Sequence, residues 1–220
     1  MKHNMPPPGA LGQQFIDIQG ERRDAILRIL DSGWKRALTS PNAHPHAGEV
    51  QITECLRAGM REALAETADY WRKKMTVLPG TESRSSTAVS TPDGRTDIPI
   101  FFQDIREELG EHDPHAIVEC KRVAGNDTDL CREYVVEGID RFKTGKYAGN
   151  HSVGFMAGYL LSGDADTATA GINKYLTRKG RRPEHLGFSQ TSNAPWAWSS
   201  RHSRPKPAEP IDLHHAFFRF

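Results

Sequence analysis

The chain has 220 residues, 26% of them charged, with a formal net charge of +1 and a mean hydropathy of −0.62. That length supports one domain with a real core, and no apolar run reaches the length a membrane span needs. Three widely spaced cysteines, Cys55, Cys120 and Cys131, form no CxxC pair, which argues against a disulfide framework and a cysteine-rich zinc site; they read as small apolar fillers.

Residues 1–14, MKHNMPPPGALGQQ, are rich in Pro and Gly and are expected to be mobile. They hold no continuous apolar stretch of the kind a secretory signal uses, so the cytoplasm is the expected compartment. From Phe15 to Leu30 the positions Phe15, Ile18, Ile26, Leu27 and Leu30 predict a helix. The segment TSPNAHPHAGE predicts a loop. A long helix is expected over Glu49–Lys74, because Ile52, Leu56, Met60, Ala63, Leu64 and Trp71 recur at spacings near three and four.

The period then changes. MTVLPG reads as a short strand, and a turn at Pro92-Asp93-Gly94 leads into an extended segment through Phe102. Asp97, Pro99 and Phe101 share one face of that segment. Pro99 suits an edge or a distortion better than a regular central strand. REELGEHDPH reads as a polar loop, and HAIVECKRV, residues 115–123, as the next strand. Asp127 or Thr128 is placed to cap a helix carrying Leu130, Tyr134, Val135, Ile139 and Phe142. HSVGFMAGYLLSG is almost wholly apolar, as a central strand covered on both faces should be. Asp164 or Asp166 starts another helix through Ile172, Tyr175 and Leu176. The last 40 residues show no clear helix; WAWSSRH and IDLHHAFFRF read as short strands.

Within HAIVECKRV, Glu119 and Lys121 are two residues apart and so point the same way from a strand. Opposite charges at the end of a buried run are costly unless they pair, bind a metal or reach water. Asp97 lies in the preceding extended segment and can approach Glu119 across a hairpin. Two neighbouring carboxylates repel, and a divalent cation removes that cost; Mg²⁺ typically takes one or two carboxylates. A lysine beside such an ion would orient or activate the attacking water in phosphodiester hydrolysis.

An acid on one strand followed by acid-x-Lys on the next, within helix-strand-strand-strand-helix-strand, resembles the PD-(D/E)XK nuclease superfamily. The resemblance covers about residues 45–165. It implies a restriction-endonuclease-like α/β fold, a mixed sheet with helices on both faces around an αβββαβ core. Asp97 matches the family's first acid, and Glu119 and Lys121 match its second acid and lysine. Asp93 and Asp104 compete with Asp97, and Thr96 stands where the family has proline. Glu49 matches the glutamate that many members supply from the preceding helix, with Glu54 in reserve; Tyr134 matches an occasional helper on the helix after the lysine. The cofactor implied is Mg²⁺ or Mn²⁺ held by Asp97 and Glu119, and the substrate is DNA by analogy. A homo-oligomer, or a role in a larger defence or mobile-element system, is also implied.

The charge distribution agrees with an anionic partner. Residues 171–220 hold nine Lys and Arg against three Asp and Glu, while the first 170 hold 20 against 25. The nucleic-acid contacts expected are Arg178, Lys179, Arg181 and Arg182 after a helix, and Arg201 and Arg204 near Trp196 and Trp198. The last cluster equally fits a sealed sheet edge with solvated arginines. His44, His46, His214 and His215 lack the usual spacing of zinc ligands. The chain thus divides into an N-terminal extension (1–44), a nuclease-like core (45–180) and a basic C-terminal segment (181–220) that completes the sheet or a binding surface. Two alternatives stay open. One is a non-catalytic nucleic-acid-binding or assembly subunit on the same fold. The other is a hydrolase of a small phosphorylated molecule.

Overall fold

The computed structural model describes residues 16, 18, 20–68, 70–80, 82–83, 94–109, 114–189, 194, 196–206 and 208–220. The segment 1–14, the turn residues Pro92 and Asp93, and the Gly110–Asp113 part of the polar connection lie outside them. The first helix, α1 (Glu21–Ala37), starts later than the apolar spacing predicts. Gly20 adopts φ 57° at its N-cap, a left-handed turn that stops helix from running back through Ile18. Ile18 is still buried, so the apolar position is used without the helix.

Helix α2 (Glu49–Glu66) follows. It ends before the predicted Lys74, because Thr67 turns extended; a separate turn, α3 (Trp71–Lys74), brings Trp71 back to the core. Strands β1 (Met75–Val77), β2 (Glu82–Ser83), β3 (Gly94–Arg95) and β4 (Ile98–Phe102) come next. Residues 103–109, whose latter part was expected to be loop, form the short helix α4 (Gln103–Leu109). Strand β5 (Ala116–Ala124) leads to α5 (Thr128–Tyr134), a π-helical segment (Val135–Ile139) and α6 (Asp140–Lys143). Asp127 caps α5 by accepting from the N–H groups of Asp129 and Leu130. Strand β6 (Val153–Ser162) and α7 (Ala165–Arg178) follow, the latter opened by an Asp164–Thr167 capping box. The C-terminal segment adds a single 3-10 turn (Arg182–Glu184), β7 (Gly187–Phe188), β8 (Trp198–His202) and β9 (Ile211–Arg219).

Seven strands form one mixed sheet in the order β1-β4-β5-β6-β9-β8-β7. β6 is its central strand, parallel to β5 on one side and to β9 on the other. The arrangement is a mixed α/β one in which the C-terminal segment supplies three of the seven strands. β4 lies inside the sheet, yet Pro99 causes no gap. Ile100 accepts from His115 on the β5 side, so the Pro99 nitrogen faces β1, just beyond the last paired residue Val77.

Apolar side chains cover both faces. One face joins Ile98, Val118, Cys120, Phe155, Ala157 and Ala216 to α1 and α2. The other joins Ile117, Val123, Met156, Ile211 and Leu213 to α5, α6 and α7. The adjacent His214 and His215 face opposite sides of the sheet, the first against Phe155 and the second against Tyr134. Among the described residues no helix is long and apolar enough to cross a membrane.

Candidate active site

β4 and β5 pair only as far as Ile98↔Val118. Beyond that register β5 runs on to Ala124 while the chain before β4 turns away at Thr96 and Asp97. The N–H groups of Cys120 and Arg122 point into the gap that opens there. Carboxylates fill the vacated acceptor positions: Asp97 Oδ2 accepts from Cys120 N at 2.7 Å, and Glu49 Oε2 accepts from Arg122 N at 3.0 Å. The need to satisfy strand N–H groups near the core is thus met by acids, and a forked sheet becomes a carboxylate cluster.

Glu119 and Lys121 project from β5 beside this gap, on the face covered by α5 and α6. Lys121 Nζ lies 2.9 Å from Glu49 Oε1 and 3.0 Å from Glu119 Oε1, and donates to its neighbour's carbonyl, Cys120 O, at 2.9 Å. Glu49 opens α2 on the opposite face and reaches round the fork to meet it. Four residues singled out in the sequence, Asp97, Glu119, Lys121 and Glu49, therefore gather from three elements.

The competitors for these roles are elsewhere. Asp104 lies on α4 and pairs with Arg22, and Glu54 pairs with Arg57 on the outside of α2. Asp93 lies outside the described residues. Tyr134 is buried, and its hydroxyl meets His215 Nδ1 at 3.0 Å instead of facing the carboxylates.

Two further residues complete the cluster. Arg141 Nη1 donates to Glu119 Oε1 at 2.8 Å and to the Tyr147 hydroxyl at 2.9 Å. That hydroxyl donates to Arg95 O at 2.7 Å, two residues before Asp97. Nothing in the local sequence marks them. Arg141 follows the π-helical segment, whose extra residue per turn resets the face that α6 presents. Gly138 in that segment lies over the lysine: a Cβ there would come within 3.4 Å of Lys121 Cγ and 2.5 Å of Met156 Cε.

Burial dominates the electrostatics. Glu119 is fully buried, which pushes its carboxyl up to about 8; Asp97 pushes it further in that direction, and Lys121 and Arg141 pull it back. Asp97 is also raised, by burial first, against the pull of Lys121. Lys121 loses solvation on burial, but the carboxylates of Glu119, Glu49 and Asp97 more than offset that and hold it above the ordinary lysine range. It is a fixed ammonium here, suited to donating and to neutralising charge.

The donors fit a hard divalent cation. Glu119 Oε2 is buried with no hydrogen-bond partner among the described residues, and the Asp97 carboxylate lies near enough for its charge to raise that of Glu119. An oxygen left without a partner beside a second carboxylate is what a cation would satisfy, and it would return the raised carboxyl to its ionised form. Glu49 is spent on Lys121 and Arg122. Among the described residues no group of three or more His, Cys, Asp or Glu could hold an ion together; two carboxylates with solvent suit Mg²⁺ or Mn²⁺.

The expected nucleic-acid residues fall into two groups. Arg178, Lys179 and Arg182, at the end of α7 and just beyond, are exposed, as is Arg201, which pairs with Asp212. Arg181 is partly buried between Asp140 and Glu184. Arg204 is turned inward: it donates to the carbonyls of Phe142, Gly149, His151 and Ala148 at 2.8–3.1 Å. Its role is to tie a loop to the core, so it does not face an anionic partner. Trp198 is buried and stacks on Phe188 with ring centres 4.1 Å apart, the sheet-sealing arrangement.

No protein-family model matches the chain, and comparison with curated proteins and with solved structures gives no match.

Proposed function

We propose that the chain is a metal-dependent nuclease of the PD-(D/E)XK type, with a restriction-endonuclease-like core, acting on DNA. One observation carries the reading. Asp97, Glu119 and Lys121, with Glu49, come together where β4 and β5 part, and a buried carboxylate oxygen there has no partner.

Asp97 and Glu119 would hold Mg²⁺ or Mn²⁺. When bound, such an ion would polarise the phosphoryl oxygen and lower the pKa of its water. The chain's own groups do the rest. Lys121, kept protonated by three carboxylates, would set positive charge beside the phosphorane-like transition state, and the N–H it now gives Glu119 would pass to the attacking water once that carboxylate turns to the ion. Glu49 fixes the lysine's position from α2. Asp97 is fixed in turn by Cys120 N, so its orientation does not depend on ligand. Exposed Arg178, Lys179 and Arg182 would add salt-sensitive affinity for the phosphate backbone.

The test is incubation of the purified protein with single- and double-stranded DNA and RNA in Mg²⁺, Mn²⁺ or EDTA, beside Lys121→Ala. DNA cleavage that needs the ion and is lost in Lys121→Ala is expected. Equal cleavage by parent and variant, or no cleavage of any polynucleotide, would overturn the assignment.

A second reading has its own observation. Lys121, Arg141, Glu119 and Glu49 already satisfy much of one another's charge, as a purely structural cluster in a binding or assembly subunit would. Titration with Mn²⁺ separates the two, since a structural cluster should take up no ion.

A further inference from the structure

Arg141 is the cation of this site that the strand motif does not contain. Its Nη1 uses the same Glu119 oxygen as Lys121, at 2.8 Å against 3.0 Å, and leaves Oε2 without a partner. Its own Nε is likewise buried without a partner among the described residues. Two unsatisfied atoms on one ion pair indicate a contact that neither group is shaped around.

The arm also has somewhere else to go. Its side chain is 25% exposed, and Nη2 lies 3.3 Å from Glu137, four residues earlier and exposed. The guanidinium carbon sits 5.5 Å from the centre of the Tyr147 ring, a favourable resting place for a cation. Lys121, by contrast, is enclosed and held by two carboxylates.

The charges point the same way. Asp97, Glu119 and Glu49 carry three formal negative charges when ionised, against two positive ones on Lys121 and Arg141. Adding a dication to that set leaves it positive by one, and removing Arg141 leaves it neutral. A dication and a guanidinium on one buried carboxylate repel strongly at low effective dielectric.

We propose that Arg141 is a stand-in cation: it holds Glu119 in the metal-free protein, competes with the divalent ion for that carboxylate, and withdraws toward Glu137 and Tyr147 when the ion binds. The inference rests on the nuclease reading above, and it assigns Arg141 a positioning role through Glu119. A residue that only orients Glu119 as a ligand would help the ion bind, so the sign of the effect decides.

The experiment is calorimetric titration of the full chain with Mn²⁺, using the parent, Arg141→Gln, Arg141→Lys and Tyr147→Phe. Arg141→Gln should bind Mn²⁺ at least about fivefold more tightly than the parent, and Arg141→Lys should return to the parent's affinity. Tyr147→Phe, which keeps the ring the guanidinium withdraws to and removes the hydroxyl that holds it beside Glu119, should tighten binding by a smaller factor; it decides the matter if Arg141→Gln does not fold. Unchanged or weaker binding in Arg141→Gln, with a parent that binds, would overturn the stand-in role and leave the nuclease reading standing. No binding by any of the four proteins would overturn both.

Discussion

Asp97 accepts a hydrogen bond from the backbone N–H of Cys120 at 2.7 Å. In doing so its side chain replaces the main-chain partner that a longer β4 would have offered. The same acid is therefore both the end of a sheet ladder and a metal-ligand candidate, and the two roles separate on substitution.

Asp97→Asn keeps an oxygen that can accept from Cys120 and removes the negative charge. The expected cost in stability is small, about 1 kcal/mol or less, while Mn²⁺ binding should disappear. Thermal melting beside calorimetry checks this. Retained ion affinity in a well-folded variant would remove Asp97 from the ligand set.

Lys121→Ala should destabilise more, by about 3 kcal/mol, because it strips buried Glu119 and half-buried Glu49 of a shared partner. Glu119→Gln added to it should recover part of that loss, since the neutral amide needs no counter-ion. Urea unfolding of the two singles and the double gives the coupling directly. Additive losses would mean that the pair contributes nothing as a pair.

The position of Glu49 depends on how closely α2 approaches α1. A Cβ on Gly59 would lie 2.2 Å from Gly33 O, a backbone atom that cannot step aside. Gly59→Ala should therefore push the helices apart and cost about 3 kcal/mol. It should also loosen the Glu49–Lys121 contact at the other end of α2. A melting temperature equal to the parent's would show that the helices have room.

Stability should fall with acid through buried neutral histidines. Burial, helped by Arg204 and then His115, lowers His151 to about 3; burial, helped by Arg23 and opposed by Asp24, lowers His214 to about 4. Both are harder to protonate in the folded chain than in the unfolded one, where the value is 6.5. The unfolded state then binds more protons, so their contribution is complete above pH 6.5 and is lost as pH falls through the window down to 3 and 4. Each adds a slope of up to about 1.4 kcal/mol per pH unit. Urea unfolding at pH 7, 6 and 5 should show it, and His151→Gln should flatten it. The raised carboxyl of Glu119 works in the opposite sense over the same window, so the comparison decides: a slope left unchanged by His151→Gln would contradict that histidine's burial.

The basic residues should separate into anchors and contacts. Arg204→Gln should lower stability by about 2–3 kcal/mol, because buried carbonyls lose their donor, and should leave the salt dependence of DNA binding unchanged. Replacing Arg178, Lys179 and Arg182 together by Ala should do the reverse, reducing the salt slope by up to about 3. Binding measured from low to moderate salt distinguishes them; a slope that follows Arg204 and ignores the other three would reverse the assignment.

Much of this protein was legible in one dimension because it follows local periodicity. The alternating and apolar runs located β4, β5 and the central β6. Asp127 and Asp164 marked their helix starts, since a short acceptor ahead of free N–H groups is a local matter. The two-residue spacing of Glu119 and Lys121 placed them on one face, whatever the remainder of the chain did.

Other features depended on partners distant along the chain. The helix expected from Phe15 began at Glu21, because Gly20 turned while Ile18 was buried ahead of it. Tyr134 went to His215, and Arg204 to carbonyls of the end of α6 and the loop after it, 53–62 residues earlier. Arg141 and Tyr147 joined the site with no sequence signal, because a π-helical segment rotated one and a folded loop delivered the other. Sequence by itself determined which side chains carry charge and which face of its own strand or helix each occupies. Only the tertiary structure decided which of those charges meet, because a buried ion pair is selected by the packing and desolvation of whole elements and not by the spacing of its two residues.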